Sequence, residues 1–443
     1  MDIYWLGPLD PETGLPTEGG GRYTDIKIQS FAPQTDVSGL SLPVNEYTVD
    51  VVTTDDIPVE VVTCELYDDR GNLWSAWPLK KTQRISEKVM RLWAASWLYQ
   101  LDYREMAETV YTTETAGDAI EACFGGDTSN YNINNTLKNT VLNGYAPAQT
   151  ARERLTWILF AIGAYWIDVN VDTARIRPID STTTLIPPER TFWRPTVDIK
   201  DWVTAVKVTS YTFRQASSDA EWQADDGSYM FPLPWLATEQ AITLTNPYAP
   251  QDAPENVVVV EGVYLVNSGN ASAIATRMAQ MYFSREEVAL DVINNRWYKP
   301  GDKVIAYTAM DALVGGYIQQ AAFKFGHQAR STLKLVGCDS AEGATLTVNY
   351  MWNSTRIGQA VYTLPVGYAF SIENPYLDQT RNGHRYIFRP ETAEATGTMA
   401  SGGNTVNVAY EAALDLYQGI LHVIGVDEIT EESSGGITIG VIA

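Results

Sequence analysis

Short runs in which Val, Ile, Thr and Tyr alternate with polar residues recur from residue 23 onward, each closed by Gly, Asn, Asp or Pro. Period-two alternation places one face of a strand on a core and the other in water, so the pattern demands sheets. YTVDVV (47–52) and VEVVTCELY (59–67) open the series, separated by TTDD (53–56) and Pro58. DDRGN (68–72) reads as a turn, because Gly71 can take positive φ and aspartates bond nearby backbone. RLWAASWLYQLDY (91–103) fits a strand by composition and a helix by length. Residues 1–22, rich in Pro and Gly, read as an arm or loop.

Three segments break the alternation. Thr115 opens a short helix, TAGDAIEACF, followed by a Gly/Asn-rich loop over 125–144. Thr150 and Glu153 form a capping box, in which the hydroxyl meets the Glu153 N–H and the carboxylate reaches back. Behind it Ala151, Leu155, Ile158, Leu159 and Ile162 make one apolar stripe that Gly163 ends. YWIDVNV and ARIRPID then read as a hairpin turning at Asp172-Thr173, and 181–200 as a Pro-containing connector. WVTAVKVTSYTF (202–213) is a strand, and 214–262 reads as wet surface loop with at most a hairpin. A third helix spans 271–285, with Asn270 as its expected N-cap and Ile274, Met278, Met281 and Tyr282 on one face. EVALDVI (287–293), PGDKVIAYT (300–308), GGYIQQAAFKF (315–325) and STLKLVG (331–337) are strands.

Composition changes after Lys334, the last lysine. Residues 339–443 hold 12 acids and 4 arginines, and TLTVNYMW, AVYTLPVGYAF, HRYIFRP, TVNVAYE, GILHVIGVDEI and GITIGVI all read as strands. A boundary is expected near 339–343. At 443 residues, 45% of them hydrophobic, the chain is long enough to bury cores without disulfide or metal staples.

The residues exclude more chemistry than they offer. Acids outnumber bases 54 to 31, a net charge of −23, which disfavours gripping nucleic acid or an anionic membrane. Cys64, Cys123 and Cys338 form no paired framework and read as small buried hydrophobes. His327, His384 and His422 match no metal-ligand spacing; His384, after Asn382-Gly383, reads as a hairpin-tip residue. Nucleophile-elbow, phosphate-loop, dinucleotide and calcium-loop motifs are absent. Asp55/Asp56 and Asp168/Asp172 are carboxylate pairs of the kind a glycosidase needs, but such pairs sit routinely at turns of acidic proteins. No catalytic, cofactor-binding or metal residue is assigned. The N-terminus lacks a basic and then apolar leader, no apolar run is long enough for a membrane span, and the sequons at Asn134, Asn270 and Asn353 read as chance. Trp157 reads as helix packing. Trp74, Trp77, Trp93 and Trp97 read as core or interface, and only Tyr362, Tyr368, Tyr376 and Tyr386, beside loops, suit glycan stacking.

The order of these parts resembles the hub, or tail-tip, proteins of bacteriophage tails, a family related to the spike hubs of contractile injection systems. The resemblance rests on TARERLTWILFAIGAYW with IDVNVDTARIRPI, DWVTAVKVTSYTF, REEVALDVI, and the closing PGDKVIAYT, GGYIQQAAFKF and STLKLVG, over roughly 113–337. Asp172-Thr173 stands where a Gly is common. Longer members carry a C-terminal peptidase or fibre region. Here all-β residues end the chain and are similar to small modules of the mucin-binding-protein type, so no such activity carries over.

The resemblance implies a mainly β fold with a small α+β insertion. Residues 1–112 would be an N-terminal arm and first β-barrel-like hub domain, and 113–195 an α+β middle domain. Residues 196–338 would be a second, related β-barrel-like hub domain with a loop insertion and helix, and 339–443 a C-terminal all-β accessory domain. It implies a structural virion protein that is not an enzyme: a homotrimer at the distal end of the tail, assembled in the bacterial host cytoplasm. Three chains would form a pseudo-sixfold ring under a hexameric tail tube or distal tail protein. Further partners would be the tape measure protein and receptor-binding proteins or host surface glycan. DNA would pass without specific binding, and an acidic lumen would repel its phosphates; the plainer reading is that −23 only keeps the chain soluble. The competing functions are a glycan-binding surface adhesin and a glycoside hydrolase.

Overall fold

The computed structural model describes residues 2–5, 21–57, 63–68, 70–169, 171, 173–179, 183–192, 195–215, 229–230, 235–293, 298–308, 312–324, 330–381, 384–414, 430–431 and 437–438. The chain is mainly β and separates into two units, Met1–Ala341 and Glu342–Ala443.

The first unit opens with β1 (Asp2–Trp5), β2 (Gly21–Tyr23), β3 (Ile26–Phe31), β4 (Glu46–Val52), β5 (Cys64–Tyr67), β6 (Leu73–Trp77), β7 (Leu79–Ser86) and β8 (Val89–Ala95). They form two four-stranded sheets, β2-β1-β5-β6 and β3-β4-β8-β7. The expected N-terminal arm is thus corrected within its described part. Ile3 is fully buried between Tyr23 and Leu66, so burial overrides the loop-like composition around it. The 68–72 turn forms as read: Gly71 takes φ 75°, and the Asp68 carboxylate accepts from the Arg70 and Asn72 N–H groups. Residues 91–103 contain both expected forms, β8 and then a 3-10 helix over Trp97–Tyr103.

Next come β9 (Glu105–Met106), β10 (Thr109–Tyr111), α1 (Ala116–Cys123), β11 (Tyr131–Ile133), α2 (Asn135–Lys138), β12 (Gly144–Ala146), β13 (Gln149–Thr150), α3 (Ala151–Ile162), β14 (Ala164–Ile167) and β15 (Ala174–Pro178). Both Thr115–Asp118 and Thr150–Glu153 are reciprocal capping boxes, and Gly163 closes α3 in the left-handed region at φ 69°. β14 and β15 pair antiparallel as expected, and Asp172 of the expected turn lies outside the described residues. The 125–144 loop is corrected: it holds β11, which pairs parallel to β15, and α2. α1 and α3 share a core with Leu98, Leu142, Trp166 and Ile176.

The remainder of the unit holds β16 (Thr183–Leu185), β17 (Thr196–Ile199), β18 (Ala205–Gln215), β19 (Tyr229–Met230), β20 (Trp235–Thr245), β21 (Val257–Val260), α4 (Ala271–Tyr282), β22 (Glu286–Ile293), β23 (Lys303–Tyr307), β24 (Leu313–Lys324) and β25 (Arg330–Ala341). The 181–200 connector supplies both outer strands of a six-stranded sheet, β16-β23-β24-β25-β22-β17. Of the 214–262 loop, β20 pairs with β18 along its whole length and β21 runs parallel to β18, with α4 packed on this sheet. α4 starts after Asn270, but Asn270 is helical and does not cap it. Its Oδ1 accepts from the Asn267 N–H, and its Nδ2 donates to the Leu265 carbonyl.

One core joins the two ends of this unit. Phe31 lies 5.1 Å from Phe323, Trp74 lies 4.6 Å from Phe323, and Gln34 bridges Gln320. Side chains from Ile3 through Ala94 and from Val288 through Cys338 belong to the same buried cluster. The close approach of β23, β24 and β25 requires glycine: a Cβ on Gly316 would meet Cys338 Sγ at 2.8 Å.

The second unit holds β26 (Gly343–Trp352), β27 (Thr355–Pro365), β28 (Ala369–Glu373), β29 (Leu377–Arg381), β30 (His384–Pro390), β31 (Glu394–Thr398), β32 (Asn404–Leu414), β33 (Thr430–Glu431) and β34 (Ile437–Thr438). Five strands form the sheet β27-β26-β32-β30-β29, and β28 pairs with β31. Asn353 and Ser354 both take positive φ, the requirement of a tight two-residue hairpin turn. Leu346, Val348, Tyr350, Phe388, Val408 and Tyr410 fill the buried face. The expected strands GILHVIGVDEI, with His422, and most of GITIGVI lie outside the described residues.

Candidate functional surfaces

The carboxylates that sequence pairs as candidate catalysts have separate roles. Asp55 and Asp56 are exposed, and Asp56 forms an ion pair with Arg84 at 2.6 Å. Asp168 is buried: its Oδ1 accepts from Asn45 Nδ2 at 3.0 Å and its Oδ2 from Trp166 Nε1 at 3.2 Å. Its backbone carbonyl accepts from Trp77 Nε1 at 3.0 Å. Burial raises its carboxyl above the usual range, and the bonds from Asn45 and Trp166 offset part of that rise. This acid ties the helix–hairpin segment to β4, β6 and their flanks. Among the described residues, no group of three or more His, Cys, Asp or Glu could hold a metal ion.

The cysteines are all buried and free, as expected, and burial pushes the Cys123 and Cys338 thiols up to about 12. His384 is exposed and opposite Arg381 across a two-residue connection, a hairpin-tip position; Asn382 and Gly383 lie outside the described residues. Trp74 and Trp77 are core, as expected. Trp93 and Trp97 are part-buried, and Lys81 lies over the Trp93 ring. Trp157 packs against the α1–α3 core. The four candidate tyrosines of the second unit do not converge. Tyr386 lies in a cluster with Trp352 and Phe388, Tyr362 is part-buried, and Tyr376 stands 71% exposed.

Three features went unread in the sequence. Arg154, in the first turn of the capped helix, is fully buried. Its guanidinium donates to Tyr111 Oη and to the carbonyls of Ala107 and Pro147, so backbone dipoles replace a carboxylate partner. Only its place beside the apolar stripe hinted at this. The second is the outer edge of β17. All four of its residues are exposed, with Ile199 66% exposed, and its outer side carries no strand among the described residues. Beside it Trp202, Tyr248, Phe283 and Arg285 line an open cleft of about 590 Å³. The third is a polar cleft of about 680 Å³ at β11 and β15.

No protein-family model matches the chain, and no curated protein matches it. Among solved structures it is similar to a tail protein from Neisseria meningitidis MC58, at 14% identity and a TM-score of 0.46, over 76% of this chain and 96% of that one. It is similar to prophage tail protein gp18 from Listeria monocytogenes EGD-e, at 12% identity and a TM-score of 0.47, over 75% and 94%. The 43 kDa tail protein of prophage MuSo2 from Shewanella oneidensis is a further likeness, at 9% identity and a TM-score of 0.47, over 76% and 98%.

Proposed function

We propose that this chain is a structural, non-catalytic protein of a phage tail: a homotrimeric hub at the distal end. It would join the tail tube or distal tail protein to the tip and form a ring through which DNA passes unbound. The tape measure protein would meet it from within the tube, and the second unit would face receptor-binding proteins or host glycan.

The observation that carries this reading is the six-stranded sheet with both outer strands, β16 and β17, unpaired on their outer sides among the described residues. Two different edges on one sheet suit a heterologous contact, edge to opposite edge, and such contacts close into rings when the rotation fits. Ile199, Trp202, Tyr248 and Arg285 beside one edge have the aromatic and Arg content of interface centres.

Light scattering at two concentrations tests it. The expected mass is about three times the 49.1 kDa chain at both. A monomer at both concentrations overturns the self-assembling ring.

A further inference from the structure

β15 carries Arg175 and Arg177 two residues apart, hence on one face. Arg175 is part-buried and Arg177 exposed. Among the described residues, neither guanidinium has an ion-pair or hydrogen-bond partner. Several arginines elsewhere are engaged: Arg84, Arg91, Arg152 and Arg385 each hold a carboxylate, and Arg154 and Arg277 hold backbone carbonyls.

The neighbouring strand adds two amides. Asn132 sits opposite Arg175 in the parallel register, and Asn134 follows two residues on. Asn134 spends its Oδ1 on the Thr136 N–H, so its amide nitrogen is the group left to offer. With Tyr131 and Thr173 these side chains line the 680 Å³ cleft, which has no carboxylate among its described lining residues. In a chain of net −23, this is a concavity of donors with no acceptor charge among its described lining residues.

The geometry points to a binding site for a phosphate group carried by a small molecule, and we propose that role for Arg175, Arg177, Asn132 and Asn134. A guanidinium fork matches an oxyanion through two parallel N–H bonds. Two forks and two amides exceed what the two oxygens of one carboxylate accept, whereas a phosphate monoester presents three strong acceptor oxygens. The volume falls in the range that holds a small organic ligand. The whole-chain charge does not oppose this. It repels a long polyphosphate, but two guanidiniums lie well within one Debye length, about 8 Å at physiological salt, of a single bound group. The proposal does not depend on the tail reading.

Calorimetric titration of the full chain at fixed ionic strength tests it, with inorganic phosphate, glucose 6-phosphate and glucose as probes. Saturable binding of phosphate or glucose 6-phosphate, with none of glucose, is expected. The tighter of the two phosphate probes then distinguishes a free ion from a sugar phosphate. Arg177→Gln, exposed and free of partners, keeps the fold and weakens binding at least about tenfold, the loss of one charge-assisted contact. Arg389→Gln, in the second unit, leaves it unchanged. Absence of saturable binding by both phosphate probes overturns the site, as does equal affinity in the Arg175→Gln/Arg177→Gln double variant.

Discussion

Asp168 sits among two indoles and an amide, with no cation paired to it among the described residues, and its side-chain hydrogen bonds taken alone favour the ionised form. Asn45 Nδ2 and Trp166 Nε1 are both donors, so both carboxyl oxygens must accept, and a protonated carboxyl turns one oxygen into a competing donor. Burial acts against this and is the larger effect, since the carboxyl is raised overall. A raised folded value means the unfolded chain releases this proton first as pH climbs. The contribution to stability is therefore complete below the unfolded value, near 3.9, and is lost as pH rises through the folded value. Asp168→Asn is uncharged throughout and removes that slope. In urea unfolding at pH 4 and pH 8, the stability gap between wild type and D168N should move in the variant's favour at pH 8. An equal gap at both values would show that burial does not govern this acid. Sequence shows the acid but not its surroundings, because Asn45 lies 123 residues away.

At the scale of elements, what was legible was what local residues decide. The capped helix α3 needs only Thr150, Glu153, its apolar stripe and Gly163, all within one short segment. Thr150→Ala removes an acceptor for the Glu153 N–H and should cost about 1 kcal/mol. Gly163→Ala forces a side chain into the left-handed region, with its Cβ 3.1 Å from Arg277 Nη1, and should cost at least about 1 kcal/mol. Urea unfolding of the two single variants checks both; no loss in G163A would mean the turn relaxes freely. β16, β17 and β20 were unreadable for the opposite reason. β16 and β17 have three and four residues, too few to show alternation, and they exist because β23 and β22 offer them edges. β20 is a strand because β18 pairs with it from Ala205 to Gln215, through a sequence crowded with prolines on both sides. Asn270 had the residue type of a cap, but the Asn267 N–H took its oxygen first.

For the whole molecule, the shared core limits where copies can meet. Phe31, Trp74 and Phe323 are buried together, so neither of the two β regions they join offers that face to another chain. The sheet rims remain open to other chains, and among the described residues β17 is a rim that combines exposed apolar residues with a neighbouring aromatic cleft. An exposed apolar edge, even a short one, is a template for pairing with another chain. Asp198 puts one charge on β17 and Thr196 one hydroxyl, while Val197 and Ile199 expose apolar side chains, a composition that suits a specific partner better than free solvent. Val197→Asp/Ile199→Asp places two further charges on this edge without touching the core. The variant should keep the wild-type circular dichroism, because both side chains already face outward, while its light-scattering mass drops from that of the proposed trimer to that of a monomer. In an edge-to-opposite-edge ring each contact would seat two unpaired carboxylates against the uncharged β16 of the next chain, a desolvation cost repeated at every contact, so the loss should be cooperative. A trimer that survives the double substitution would move the subunit contact away from β17, leaving the wild-type mass itself to decide the ring.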